Sequence, residues 1–276
     1  MKKLFKFLVT VISLAILVYT YSRYIEPKFI KINKQIVSST YVSNALLGKK
    51  VVQFSDTHIS EYFGIEELRN IVNKINLLNP DIILFTGDLI DNYNKYNIEP
   101  TEISNVLSKL NATYGKFCVY GNHDYGGGAV SIYKEIMNDA GFYLLINNTI
   151  KLDELNLTIT GLDDAIFGYP NLDSLHKYIE ENNYNIIICH EPDIIDNIEN
   201  YNYDIAIAGH SHGEQINIPF LDDYILPPLA KNYVRGMYNL NTPRNGKIYV
   251  NKGIGTTKYP LRLFARPEIT IFEFTE

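Results

Sequence analysis

Five short apolar runs in this chain each end in a residue able to bind a metal or move a proton. That repetition constrains the fold more than any other feature. Val51–Phe54 leads into Ser55-Asp56-Thr57-His58, and 81–86 leads into Gly87-Asp88-Leu89-Ile90-Asp91. The run 116–120 leads into Gly121-Asn122-His123-Asp124, 185–189 into His190-Glu191-Pro192, and 204–208 into Gly209-His210-Ser211-His212-Gly213. Apolar runs of this length read as strands buried on both faces, and open α/β sheets place their ligands beyond the carboxyl ends of such strands. Of the 6 histidines, only His176, on a polar stretch, lies outside this set.

Between the runs the apolar spacing turns helical. It predicts helices over Ile65–Leu78, where Asn79-Pro80 stops the pattern, over Ile103–Leu110, near Ala129–Ala140 and over 171–181. Further strands are predicted at 29–38, 142–146, 149–153, 156–161, 246–251 and 268–274, with 149–153 and 156–161 as a hairpin. Strands alternating with helices, followed by strands in succession, imply an α/β fold with a mixed sheet or two stacked sheets. No repeat or low-complexity linker divides the chain, so 25–276 reads as one catalytic-size domain.

Residues 1–24 are different in kind. Lys2, Lys3 and Lys6 precede an apolar run from Phe7 to Val18, followed by Tyr19, Tyr21 and Tyr24. With Leu4 and Phe5 the stretch approaches the roughly 17–20 residues that span a bilayer. Small residues suited to signal cleavage do not follow it. It is expected to be an uncleaved single-pass anchor in the cell membrane, with tyrosines at the interface and the leading lysines in the cytoplasm, although Arg23, Lys28, Lys31 and Lys34 follow on the other side. The catalytic body then lies outside the cytoplasm; the alternative is a protein secreted after cleavage.

The donor types at the strand ends narrow the chemistry. Imidazole nitrogen with Asp and Asn oxygen suits borderline divalent metals better than the all-oxygen shell of Ca²⁺ or Mg²⁺ or the thiolates of structural zinc. Residues two apart on a strand share a face, so Asp56 with His58, and His210 with His212, can each reach one centre. Glycines before Asp88, Asn122 and His210 let backbone approach the ions. Any one of these motifs alone is ordinary turn chemistry; five in order are a site. Asp91 reads as a helix N-cap or as an acceptor that orients a ligand, with the cap favoured. Cys118 and Cys189 sit inside apolar runs and read as buried core. A net charge of −6 and a pI of about 5.6 argue against a nucleic-acid partner.

The order D-x-H, G-D-x-x-D, G-N-H-D, a lone His after a strand, then G-H-x-H resembles the calcineurin-like metallophosphoesterase superfamily. The Asp-Thr-His start, Gly-His-Ser-His-Gly, and the tail from Gly253-Ile254-Gly255 through Pro260, Arg262 and Pro267-Glu268 look most like a membrane-anchored bacterial phosphodiesterase subgroup. The resemblance implies a four-layer α-β-β-α sandwich of two mixed sheets flanked by helices, carrying two divalent metal ions (Mn, Fe, Zn or Co, with Mn or Zn preferred). Carried over residue by residue, Asp56, His58, Asp88 and His212 hold one metal, and Asp88, Asn122, His190 and His210 hold the other. Asp88 bridges. Such a pair lowers the pKa of bound water and neutralises phosphoryl charge. His123 is placed as general acid, its ring oriented by Asp124 or a backbone carbonyl. Asn122, His123 and Arg262 are the expected substrate contacts. Glu214 stands where the subgroup usually has glycine, and is expected to lie harmlessly in solvent rather than adjust substrate choice.

The expected activity is hydrolysis of a phosphodiester, phosphomonoester or pyrophosphate at or near the membrane. Ile216–Met237, rich in Pro, Leu and Tyr with Lys231 and Arg235, reads as a packed covering loop or as an apolar lip suited to a lipid-linked phosphate. The competing reading is a non-catalytic metal-binding scaffold, but such members lose ligands and this chain keeps them all. No obligate protein partner is legible.

Overall fold

The computed structural model describes residues 1–96, 98–177, 179–218 and 226–275. In chain order the strands are β1 (Lys31–Ser38), β2 (Lys50–Phe54), β3 (Ile82–Phe85), β4 (Gly115–Cys118), β5 (Phe142–Leu144) and β6 (Asn148–Leu152). They continue with β7 (Leu157–Gly161), β8 (Tyr184–Ile188), β9 (Ile205–Ala208), β10 (Gly236–Asn239), β11 (Lys247–Val250) and β12 (Glu268–Thr275). Two six-stranded mixed sheets result, ordered β1-β12-β2-β3-β4-β5 and β10-β11-β9-β8-β7-β6. Parallel pairing runs through β2-β3-β4-β5 and through β7-β8-β9-β11. The expected hairpin is present as antiparallel β6-β7.

The sheets face each other through Val51, Ile82, Leu84 and Phe117 on one side and Ile159, Ile186, Ile188, Ile205 and Ile207 on the other. Each fully buried side chain of this kind contributes roughly 1.5–3 kcal/mol relative to exposure, so a few per strand can hold strained turns at its end. The outer face of the first sheet packs on α2 (Ile65–Asn76), α3 (Pro100–Leu107) and α5 (Val130–Asp139), with Leu68, Ile71, Val72 and Ile75 forming the buried stripe of α2. A one-turn α4 (Asn122–Gly126) follows β4.

The outer layer of the second sheet differs from expectation. The segment at 171–181 contains a 3₁₀ turn, Leu172–Lys177, and a second one, Pro192–Ile198, packs beside it. Leu172 and Leu175, three apart, match the 3₁₀ period and give too narrow a stripe for a longer helix. Strand β10 went unread because Gly236-Met237-Tyr238-Asn239 is short and half exposed.

At the N-terminus α1 (Lys2–Thr20) has no buried residue. With the turns after it, it makes a helical run, Lys2–Lys28, long and apolar enough to cross a membrane.

Candidate metal centre

The carboxyl ends of β2, β3, β4, β8 and β9 converge at one end of the two facing sheets, and backbone pairing continues past the strands. The Asp56 N–H donates to the Gly87 carbonyl at 3.0 Å, the His58 N–H to the Asp88 carbonyl at 3.2 Å, and the Gly209 N–H to the His190 carbonyl at 3.1 Å. Beyond the strands Asp56, His58, Asp88, His210 and His212 have φ of +53°, +43°, +59°, +69° and +53°. The D-x-H and H-x-H pairs thus meet through left-handed turns, not through the extended geometry their spacing suggested. Each such residue costs on the order of 1–3 kcal/mol and persists only where its surroundings over-determine it.

Carboxylates supply that determination. Asp124, buried at the start of α4, accepts the backbone N–H groups of Asp88 (2.9 Å), Leu89 (3.0 Å) and Gly121 (2.9 Å). Asp88 Oδ1 accepts the His123 N–H at 2.8 Å, and Asp56 accepts the His210 N–H at 3.1 Å. A Cβ on Gly121 would lie 2.3 Å from Asp88 Oδ1, and one on Gly209 would lie 2.5 Å from Asp56 Oδ2, so both positions must lack a side chain.

Three overlapping donor sets result among the described residues. Asp56, His58 and His212 form one, Asp88, His190 and His210 another, and His58, Asp88 and His123 a third between them, the ligand atoms of each lying within 4.8 Å of one another. His58 Nε2 stands 3.0 Å from His212 Nε2, and Asp88 Oδ2 lies 3.4 Å from His58 Nε2 and 3.1 Å from His190 Nε2. Asp88 therefore touches all three sets. Asn122 lines the same pocket, its Oδ1 buried without a partner.

The outer nitrogens of three rings are engaged by acceptors. His190 Nδ1 donates to the Thr86 carbonyl (2.6 Å), His210 Nε2 to the Pro228 carbonyl (2.8 Å), and His123 Nδ1 to the Asp91 carbonyl (2.7 Å). A carbonyl can only accept, so it fixes the hydrogen on the outer nitrogen and turns the other nitrogen toward the centre. Burial and the neighbouring His190 push His210 down to about 3, and burial with His58 and Arg262 holds His212 well below the ordinary histidine value. These two imidazoles are neutral, the form metal binding requires, whereas Asp88 and Asp56 outweigh burial at His190 and raise it well above the ordinary value. Burial alone would raise the Asp88 carboxyl, but His190, His123 and His58 together hold it well below the usual range. The unpartnered Asn122 Oδ1, the neutral His210 and His212 rings and an ionised Asp88 carboxylate shared between sets fit a pair of borderline divalent cations.

Around this centre lies a pocket of about 430 Å³, walled by His123, Ile166, Glu214, Ile216, Pro228 and Lys258 among others. Burial acts to lower the His123 pKa, but Asp88 and Asp91 outweigh it and raise the imidazole above its ordinary value, the state that suits an acid.

Four expectations are corrected here. Arg262 does not face the pocket: it is fully buried, donating to the carbonyls of Gly255 (2.7 Å), Ala265 (2.7 Å) and Lys252 (2.9 Å) behind His212. Asp91 is no helix cap, because α3 begins at Pro100 behind Glu99; its Oδ1 lies 3.3 Å from His58 Nδ1 and 3.5 Å from His123 Nδ1. Glu214 is not in solvent; it is 5% exposed, lines the pocket, and pairs with Arg235 at 3.0 Å. Of the two cations assigned to the lip, Arg235 is spent on Glu214, and Lys231 is exposed, its backbone N–H donating to Asp193. Residues 219–225 of that lip lie outside the described residues.

Lys258, which sequence reasoning missed, stands at the pocket wall with φ +59°. Gln215 fixes it there, its Nε2 donating to the carbonyls of Thr257 (3.0 Å) and Tyr259 (2.7 Å).

A chain with this fold and donor set is a metal-dependent phosphoester hydrolase, and comparison with known sequences agrees. Residues 49–214 match the calcineurin-like phosphoesterase family model, and the chain belongs to that family, whose members use a dinuclear divalent centre. It is 40% identical over 257 residues to the metallophosphoesterase YkuE of Bacillus subtilis, covering 92% of this chain and 88% of the relative. It is 26% identical over 328 residues to the UDP-2,3-diacylglucosamine pyrophosphatase LpxG of Chlamydia muridarum, covering 96% and 95%. Among solved structures, a dimetal phosphatase from Danio rerio aligns at 11% identity with a TM-score of 0.49, covering 83% of this chain and 100% of that one.

Proposed function

We propose that this chain is a membrane-anchored dinuclear phosphoesterase acting on an amphiphilic phosphate, a lipid-linked diester or pyrophosphate. Asp56, His58, Asp88 and His212 would hold one ion, and Asp88, Asn122, His190 and His210 the other, with Mn or Zn the preferred metals. When bound, such ions lower the pKa of water and neutralise charge on phosphoryl oxygens. The chain supplies the rest. His123, its Nδ1–H held by the Asp91 carbonyl, presents Nε2 to the leaving oxygen as the proton donor. Lys258 draws an anionic group to the pocket wall, while Arg235 neutralises Glu214 and keeps a second negative charge from repelling it. Residues 25–276 form the catalytic domain, and 1–24 the single-pass anchor with the domain outside the cytoplasm.

The observation that carries the reading is the Asp88 carboxylate standing between His58 Nε2 at 3.4 Å and His190 Nε2 at 3.1 Å, all three side chains buried. The substrate class is supported by the apolar α1 and by the pocket walls Ile166, Ile216, Pro227 and Pro228. It is also in keeping with LpxG, whose name makes it a pyrophosphatase of a diacylated sugar nucleotide. Full-length protein in detergent, assayed with Mn²⁺ and with chelator, is expected to cleave an aryl phosphodiester only with metal. A lipid-linked pyrophosphate should compete for that activity better than its water-soluble head group; equal competition would sink the amphiphile, and metal-independent turnover would sink the centre.

A further inference from the structure

The end of the apolar helix is bolted to the catalytic domain beside the metal centre. Glu26 is 1% exposed, and its carboxylate accepts the backbone N–H groups of Ala265 (2.7 Å) and Phe264 (3.1 Å). One turn earlier the Ser22 carbonyl accepts the Arg262 N–H at 2.9 Å, and Arg266 Nε donates to the Phe29 carbonyl at 3.1 Å. Between these contacts the Arg262 guanidinium grips the carbonyls of Lys252, Gly255 and Ala265 behind His212. The helix changes pitch where it docks, with a π turn at Tyr21–Ile25. Nothing here resembles a flexible leash: the attitude of the domain to the helix is set by buried hydrogen bonds.

Around the docking point the surface is aromatic. Tyr24, Phe29, Tyr62, Tyr259 and Phe264 are 54%, 53%, 45%, 66% and 69% exposed, and the Arg23 guanidinium lies 4.9 Å from the rings of both Tyr24 and Tyr62. Tyr62 and Tyr259 line a small cleft of about 150 Å³ that shares Thr257, Lys258 and Tyr259 with the catalytic pocket. Amphipathic aromatics flanked by cations favour the interface between water and lipid. The occupant is indicated by the chain itself, because the exposed helix rising from this face is long and apolar enough to cross a membrane.

We propose that the face carrying Tyr24, Phe29, Tyr62, Tyr259 and Phe264 is a bilayer-contacting surface, which lays the mouth of the catalytic pocket on the lipid headgroup layer so that the phosphate enters from the membrane plane. This rests on the anchor assigned above. The test uses full-length protein in phosphatidylcholine–phosphatidylglycerol vesicles. A polarity-sensitive fluorophore is placed at F264C, and as control at L77C, where Leu77 is 79% exposed after α2, before the amino end of β3 and so at the end of the strands away from the centre. Cys118 and Cys189 are buried, with burial raising both thiols far above their usual range, and stay unlabelled.

Shallow doxyl-labelled lipid should quench the F264C probe at least twofold and leave the L77C probe unchanged. In an added Glu26→Ala change the F264C quenching should fall while the protein still floats with vesicles. Flotation with equal quenching at both positions, or lipid-independent self-quenching at F264C from a second copy, would overturn the surface and leave the hydrolase standing. Failure to float would remove the anchor and the surface together. Turnover enters none of these readouts, so loss of phosphoesterase activity is a separate result.

Discussion

The Asp91 carbonyl oxygen accepts the Nδ1 hydrogen of His123 at 2.7 Å, while the carboxylate of the same residue reaches within 3.3 Å of His58 Nδ1. One residue therefore holds the proposed proton donor through its backbone and brings its carboxylate beside a proposed metal ligand.

The backbone half of that arrangement predicts the behaviour of His123→Asn. Steady-state kinetics should show kcat lower by roughly 10²–10⁴-fold, the usual contribution of a general acid. Elemental analysis should still find two metals per chain. Metal lost in proportion to activity would make His123 a ligand instead.

The side-chain half predicts a different signature for Asp91→Ala. Partners that orient a ligating histidine typically contribute about 10–100-fold to metal affinity. Chelator competition should show one of the two ions weakened by that factor. An unchanged profile would mean the 3.3 Å approach to His58 orients nothing.

Asp124 has a structural role that stability can report. Its carboxylate accepts three buried N–H groups, from Asp88, Leu89 and Gly121. An orphaned buried donor costs roughly 1–3 kcal/mol. Asp124→Ala should therefore lower unfolding free energy by about 3 kcal/mol or more in denaturant titration and abolish activity, because the strained Asp88 turn relaxes. A destabilisation below about 1 kcal/mol, the lower end for a single orphaned donor, would show that the turn holds itself.

The charged pocket wall predicts effects on binding rather than turnover. Lys258→Ala should raise KM for an anionic substrate by about tenfold, the equivalent of roughly 1.4 kcal/mol, with kcat little changed. Arg235→Ala should also raise KM, by leaving Glu214 unneutralised, and adding Glu214→Gln should restore it. Restoration is the telling result, since general damage to the loop would survive the second change.

Sequence alone could pick out the donor residues that the structure brings together, because each follows a strand whose apolar run is unmistakable, as Val51–Phe54 before Asp56 and Ile205–Ala208 before His210. Alternation of β2, α2 and β3 likewise follows from local periodicity. What stayed hidden depends on distant partners. Asp91 looks like a cap until the His58 and His123 rings close over it. Glu214 looks solvated until Arg235, 21 positions on, pairs with it. Arg262 reads as a cation facing substrate because nothing local announces that carbonyls at 252, 255 and 265 surround it. Lys258 carries no motif, and only the Gln215 clamp turns it to the pocket wall. The strand-end turns also defeat simple alternation, since their geometry comes from positive φ at five donor-bearing residues, which composition does not encode.

The central claim is that two cations sit on either side of Asp88. Anomalous diffraction at the manganese edge, from crystals of the full-length chain grown with Mn²⁺, tests it without reference to substrate. Two peaks are predicted, one contacting Asp56, His58 and His212 and the other contacting Asn122, His190 and His210, both touching the Asp88 carboxylate. A map with no peak there, or with a single peak that Asp88 does not reach, would contradict the account.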